Sequence, residues 1–204
     1  MKLNKKGFTL VELLIVIGLL GAIALIVIAA INPIEQANRA RDTRLKADAS
    51  QLISAIDRYF ATQSEMPWAT STEAAPELDA VDAAAPAIGL CDTDDDSTNN
   101  ATGLTVTMGD CDYEGNLIRN DELKTEFRNR DFITSETADK RIYLLKSSGS
   151  SSSVYACFIP FSNSEKTKVD NLRSLTIDSG TDAPTRDCTT DDWVASPCYI
   201  CVPQ

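Results

Sequence analysis

The stretch Lys5-Lys6-Gly7-Phe8-Thr9-Leu10-Val11-Glu12 runs directly into an apolar segment that ends near Ile31. Glu12 is the only charge in the 24 residues from Phe8 to Ile31, and the 19 residues from Leu13 to Ile31 carry none. At the rise of an α-helix, 24 residues extend roughly 36 Å, enough to cross a bilayer. The segment therefore reads as a membrane-inserting helix with a short basic leader and one carboxylate near its start. A secretory signal peptide or a plain anchor would account for the apolar run. Neither accounts for Glu12. A carboxylate in a membrane helix costs about 2–3 kcal/mol on insertion scales and marks a functional group with a partner to be named.

The stretch Lys6-Gly7-Phe8-Thr9-Leu10-Val11-Glu12-Leu13-Leu14 resembles the class III signal of type IV prepilins and pseudopilins. The resemblance covers residues 1 to about 65, roughly a third of the chain. It implies that a membrane aspartic peptidase cuts after Gly7 and that the new amino terminus, Phe8, is N-methylated. It further implies that Glu12 pairs with the terminal amine of a neighbouring subunit during assembly. Elementary electrostatics supports that pairing. A lone amine and a lone carboxylate are both costly in hydrocarbon, and docking Phe8 of one subunit against Glu12 of another offsets both costs. Unit charges 4 Å apart attract by about 4 kcal/mol at an effective dielectric of 20.

Beyond the span about 170 residues remain, enough for one compact domain. Three units are expected: a leader over 1–7, a transmembrane and assembly helix over 8–31, and a globular domain over 32–204 that includes the amphipathic half of the long helix. The formal net charge is −11; loss of Lys2, Lys5 and Lys6 with the leader leaves 16 basic against 30 acidic residues. Twelve of the acidic residues lie between Tyr59 and Ile118, where there is no Lys or Arg. Such a chain offers no specific nucleic-acid site, because phosphate contacts need clustered cations.

There is no histidine, which excludes Ser-His-Asp and Cys-His catalysis and the common His-containing zinc sites. No pair of carboxylates is marked out for acid–base work, so the chain reads as a non-enzyme without a cofactor. Asp92, Asp94 and Asp96 resemble the first half of a calcium loop. Ser97 replaces the expected glycine and Gly103 the terminal glutamate, so an EF-hand is excluded. Calcium stays open beside a solvated acidic loop. Asn100-Ala101-Thr102 is a glycosylation sequon, a weak pattern.

Six cysteines in a chain with an export segment read as disulfides. Six allow 15 pairings. Cys91 with Cys111 is favoured because the two flank the acidic loop, and closing it is worth roughly 3 kcal/mol in the chain-entropy model. Cys157 and Cys201 fall mid-strand in segments expected to be neighbours, which leaves Cys188 with Cys198. Cys198 and Cys201, three apart on a strand, point to opposite faces and should not pair.

Residues 8 to about 63 read as one long helix interrupted at Asn32-Pro33, with Gly18 and Gly21 weakening it inside the span. Leu45, Ala49, Leu52, Ile53, Ile56, Tyr59 and Phe60 recur at helical spacing and should pack on a sheet. Asp48, Ser54, Asp57 and Arg58 are expected on the opposite face. Arg39, Arg41, Asp42 and Arg44 should face neighbours or solvent, with Glu35 and Arg39 spaced for an ion pair. Met66-Pro67 ends the helix, and residues 69–100 are expected to form a long connection. Strands are expected at 104–108, 116–118, 141–145, 154–159, 174–177 and 198–202. A serine-rich, flexible hairpin tip should join the third and fourth of these. Asp191-Asp192-Trp193 reads as a buried tryptophan beside a turn. The fold expected is α+β: a long amino-terminal helix, partly transmembrane, on a four- or five-stranded antiparallel sheet.

Charge on either side of the span does not decide orientation, since Lys2, Lys5 and Lys6 balance Arg39, Arg41, Arg44 and Lys46. The cysteines and the resemblance put the carboxyl end outside. The resemblance implies a single-pass precursor in the cytoplasmic (inner) membrane, in contact with lipid, that then enters an extracellular filament. It implies a homo-oligomer or a mixed filament with other pilins, served by a prepilin peptidase, an assembly platform and an ATPase. Two other readings stand beside a pilus subunit: a pseudopilin of a type II secretion system, and a membrane-anchored adhesin or sensor that never polymerises.

Overall fold

The computed structural model describes residues 7–30, 32–69, 73–84, 88–92, 113–135, 137–178, 180–186, 188–190, 193 and 195–203. Helix α1 spans Leu10–Ala30 and helix α2 spans Pro33–Gln63. The interruption expected at Asn32-Pro33 is present. Asn32 caps α2 by accepting from the Glu35 amide at 3.2 Å, and Pro33 occupies its first turn, where the missing N–H is not needed. The far end stops at Ser64, a left-handed residue at φ 61° whose amide donates to the Phe60 carbonyl.

Strands β1 (Leu78–Asp82), β4 (Ile142–Lys146), β5 (Val154–Phe158), β6 (Leu172–Arg173) and β9 (Tyr199–Val202) form a five-stranded antiparallel sheet in the order β1-β4-β5-β9-β6. Two small ladders complete the described sheets: β2 (Cys91–Asp92) with β3 (Tyr113–Glu114), and β7 (Ile177–Asp178) with β8 (Ala183–Pro184). The fold is α+β and pilin-like. The period-2 pattern of the strands sorts their side chains by face. Leu144, Ala156, Phe158 and Ile200 point into the main core, where they meet Leu52 and Ile56 of α2. Each such fully buried Leu or Ile contributes about 2 kcal/mol relative to exposure. Leu145, Cys157 and Cys201 point the other way and form a smaller cluster with Tyr155, Ile177 and Tyr199.

Several local expectations are corrected. Residues 116–118 are not a strand but part of helix α3 (Asn116–Arg119), entered from the turn at Gly115. A further single turn, helix α4 (Asp131–Thr134), buries Phe132 and Ile133 in the same core. The connection after α2 contains β1, which lacks a strand pattern because it is an edge strand with a bulge between Leu78 and Val81 and a left-handed Ala80. Residues 174–177 do not make one strand; the chain bends between β6 and β7. The serine-rich tip is tied down. The Gly149 amide donates to the Ala75 carbonyl at 3.0 Å, Ser147 Oγ donates to Asp182 at 2.8 Å, and the buried Lys146 ammonium bonds the Ser147 and Gly149 carbonyls. Asp48, expected on the face opposite the apolar stripe, is buried, 3.2 Å from Arg130. Trp193 is half-buried under Lys166, whose ammonium sits 4.8 Å from the ring centroid. The expected strand at 104–108 and the sequon at Asn100 lie outside the described residues.

Cys157 is bonded to Cys201, which lies directly opposite it on the neighbouring strand with Cα atoms 4.0 Å apart. Cys188 is bonded to Cys198. Cys198 sits in the main core and Cys201 in the cluster on the other face. Cys91 is also disulfide-bonded; Cys111 lies outside the described residues.

Candidate functional site

Thr9-Leu10-Val11-Glu12 starts α1 as a reciprocal cap. The Thr9 amide and hydroxyl both donate to Glu12 Oε2, at 2.9 and 2.7 Å, and the Glu12 amide donates back to Thr9 Oγ1 at 3.2 Å. Three residues separate a threonine cap from its glutamate, which is the spacing at which each satisfies an amide of the other. The signal is local and readable, yet attention to Glu12 alone passes over Thr9. Two donors converge on one oxygen, and among the described residues Oε1 has none. Gly7 and Phe8 precede the cap in an open position. Nothing lies within 4 Å of where a Gly7 side chain would project, and Phe8 is 85% exposed. A backbone cut after Gly7 would place a new amine one residue before the cap. The arrangement thus offers an exposed Gly7–Phe8 peptide bond and a carboxylate with one oxygen still able to accept.

Helix α1 is apolar all round, and residues Leu10–Ile28 have a mean hydropathy of 3.0 with none of that window buried. This is the one helix among the described residues long and apolar enough to cross a membrane, and it suits anchoring of a precursor. Gly18 and Gly21 face open space in the single chain, with nothing within 4 Å of where a side chain would begin.

A second polar constellation fastens the start of α2 to the globular domain. Asp42 is 2% exposed and accepts from the Phe161 amide at 2.7 Å, the Ser162 amide at 2.9 Å and the Ser162 hydroxyl. Seven residues earlier, Glu35 accepts from the amides of Asn163 and Ser164, at 3.0 and 3.1 Å, at the start of the short helix α5 (Asn163–Lys166). Those amide bonds, first Asn163 and then Ser164, hold the Glu35 carboxyl below its usual range. Arg39 pairs with Glu35 at 3.2 Å, as its spacing predicts. Glu165 answers from the domain side by bridging Lys46 at 3.2 Å and Lys168 at 3.0 Å. Nothing in the local sequence announces this clamp, because its halves lie about 120 residues apart. We expect Asp42→Asn to lower the stability of the domain by about 2 kcal/mol, because the amide nitrogen cannot accept and leaves buried donors unpaired. Chemical denaturation of the full chain in detergent tests this; an unchanged midpoint would remove Asp42 from any structural role.

The calcium reading falls on Asp92, Asp94 and Asp96, whose side chains lie outside the described residues. Among the described residues no group of three or more Cys, Asp or Glu side chains is placed to hold a metal ion.

Residues 2–28 match the family model for the prokaryotic N-terminal methylation motif. No curated protein and no solved structure matches the chain. The amino-terminal segment is the class III signal of a type IV pilin-like prepilin. The match supports a precursor of the pilin or pseudopilin type, a structural class of protein.

Proposed function

We propose that the protein is a structural subunit, a major or minor pilin, of a type IV pilus-like extracellular filament. In this reading a prepilin peptidase removes residues 1–7, Phe8 is N-methylated, and residues 8–31 pack among the same segments of neighbouring subunits. The Phe8 amine of one subunit docks on Glu12 of the next. Residues 32–204 form the head carried by that helix. An assembly platform and an ATPase are the further partners the process needs. The observation that carries the reading is the capped Glu12 carboxylate, alone in an apolar helix beside an exposed Gly7–Phe8 bond, with one oxygen that accepts from no described residue. A plain anchor has no use for it.

Intact-mass spectrometry of the protein from membranes or from filaments tests the processing. The mass expected is that of residues 8–204 with three disulfides and one added methyl group at the amino terminus. A chain that starts at Met1, or one that starts beyond Ile31, would sink the proposal.

A further inference from the structure

On the sheet face turned away from α2, the β7–β8 hairpin stands over β5, β6 and β9 and leaves a cavity of about 360 Å³. That volume is within the range of small-ligand pockets. Its wall carries two cations, Arg173 from β6 and Arg186 from just after β8, together with Tyr155, Asp178, Thr181 and Thr185. The bonded pair Cys157–Cys201 ties the two strands beneath it, and Cys201 lines it.

Among the described residues the two arginines of this cavity are not paired with carboxylates. Arg173 spends one guanidinium nitrogen on backbone carbonyls, those of Asp170 at 2.6 Å and Leu172 at 2.9 Å, which aim the group without neutralising it. Among the described residues neither Arg173 nor Arg186 has an ion-pair partner within 4.0 Å. The arginines instead feel each other. Burial first, and then the charge of Arg186, push the Arg173 guanidinium below its ordinary value, while Asp170 opposes. Among the described residues Asp178 is the one carboxylate of the lining. It is engaged by its own turn, accepting from the Gly180 amide at 2.9 Å and from the Thr181 hydroxyl at 3.3 Å. The Tyr155 hydroxyl makes no hydrogen bond among the described residues.

Two guanidiniums that repel each other, with no ion-pair partner among the described residues, favour an anion, and a planar carboxylate matches a guanidinium. The remaining lining narrows the class. An aromatic flank, a carboxylate able to accept from hydroxyls and a threonine hydroxyl are wasted on a bare inorganic ion. They suit a polyhydroxylated ring that carries one acid group. We propose that this cavity is a binding site for an acidic sugar of the uronic acid class, its carboxylate between Arg173 and Arg186 and its ring against Tyr155. The site does not depend on filament formation. It lies on the sheet face opposite the one that packs on α2.

The test uses the full chain in detergent micelles, with glucuronate as probe and glucose and inorganic phosphate as controls. Amide resonances of Arg173, Thr181, Thr185 and Arg186 are followed by NMR during each titration. Glucuronate is expected to shift them saturably, and glucose is not. Arg186→Gln, at an exposed side chain, should weaken glucuronate at least about tenfold, the usual worth of one charge-assisted hydrogen bond. Arg173→Gln should do the same, and its spectrum reports whether it is folded. The proposal is overturned if glucuronate leaves the four resonances unmoved, if both variants bind it like the wild type, or if phosphate competes at equal concentration. The last result would make the cavity a general anion site.

Discussion

Replacing Glu12 by leucine is expected to abolish entry into filaments while leaving the protein in the membrane. The two effects have opposite signs and different sizes. Insertion should improve, since a carboxylate is removed from an apolar helix at a gain of about 2–3 kcal/mol. The reciprocal cap with Thr9 is lost, at a cost of about 1 kcal/mol, so the net effect on insertion stays favourable. On the proposed function, assembly would lose the attraction between the Phe8 amine and the Glu12 carboxylate, about 4 kcal/mol at 4 Å and an effective dielectric of 20. That corresponds to roughly a thousandfold in the subunit equilibrium. The measurement is the ratio of sheared filament to membrane-bound protein in cells that make the Glu12→Leu variant. Normal filament yield would show that the pair is dispensable. Glu12→Gln is the informative companion, because it keeps a hydrogen-bonding oxygen for the Thr9 donors and removes the charge. Its failure to assemble would separate the ion pair from the cap.

The largest effect on the fold itself is expected from Gly115→Ala. A Cβ at Gly115 would lie 2.8 Å from the Gly89 Cα and closer still to the Gly89 carbonyl carbon and oxygen. All three are backbone atoms, so no side chain can swing aside. The two segments are also bonded, with Leu117 N–H to the Gly89 carbonyl at 2.8 Å and Gly115 N–H to the Leu90 carbonyl at 3.2 Å. Ile88, Leu90 and Leu117, all fully buried, hold the same crossing from the core side. Relief therefore requires moving a backbone segment that is both packed and paired, at about 4 kcal/mol. For a chain of this size the melting temperature should fall by about 10 °C. Gly149→Ala is the control. Gly149 has φ +94°, but nothing stands within 4 Å of its missing side chain, so only backbone strain of about 1 kcal/mol is expected. Equal melting temperatures for the two variants would mean that the Gly89–Gly115 approach relaxes freely.

What can be read from the sequence is carried by strong local signals. A charge-free run of 19 residues has few interpretations, and the strands around Leu144 and Ala156 announce themselves by β-branched and aromatic residues between turn formers. The stripe from Leu45 to Tyr59 decides which side of α2 meets the sheet. Misreadings come where tertiary context overrides local preference. Leu117 and Ile118 look like strand residues but are turned into a helix by the Gly115 crossing. The edge strand β1 is rich in Asp and Ala because it pairs on one side only, and Asp82 is held there by Arg141 at 3.1 Å. The polar start of α2 looks like a surface for partners. Its carboxylates instead answer backbone amides contributed by residues 161–164, and no window of sequence contains both parties. At the amino terminus Glu12 stands out as a lone charge. The part played by Thr9 is equally local, and needs only the question of where the first amides of α1 find acceptors.

The clamp at Glu35 and Asp42 also decides how a pull on the amino-terminal helix is shared through the head. Tension entering along α2 meets the domain first at residues 161–164, a few positions beyond the end of β5. From there the covalent chain leads back to Cys157, and across its disulfide to Cys201 and the carboxyl-terminal strand. The load is therefore passed to a cross-linked pair of central strands before it is borne by the apolar contacts between α2 and the sheet. Those contacts are left to resist sliding as a group rather than peeling one at a time. The head should then give way at its polar fastening, by release of Asp42, before its sheet comes apart.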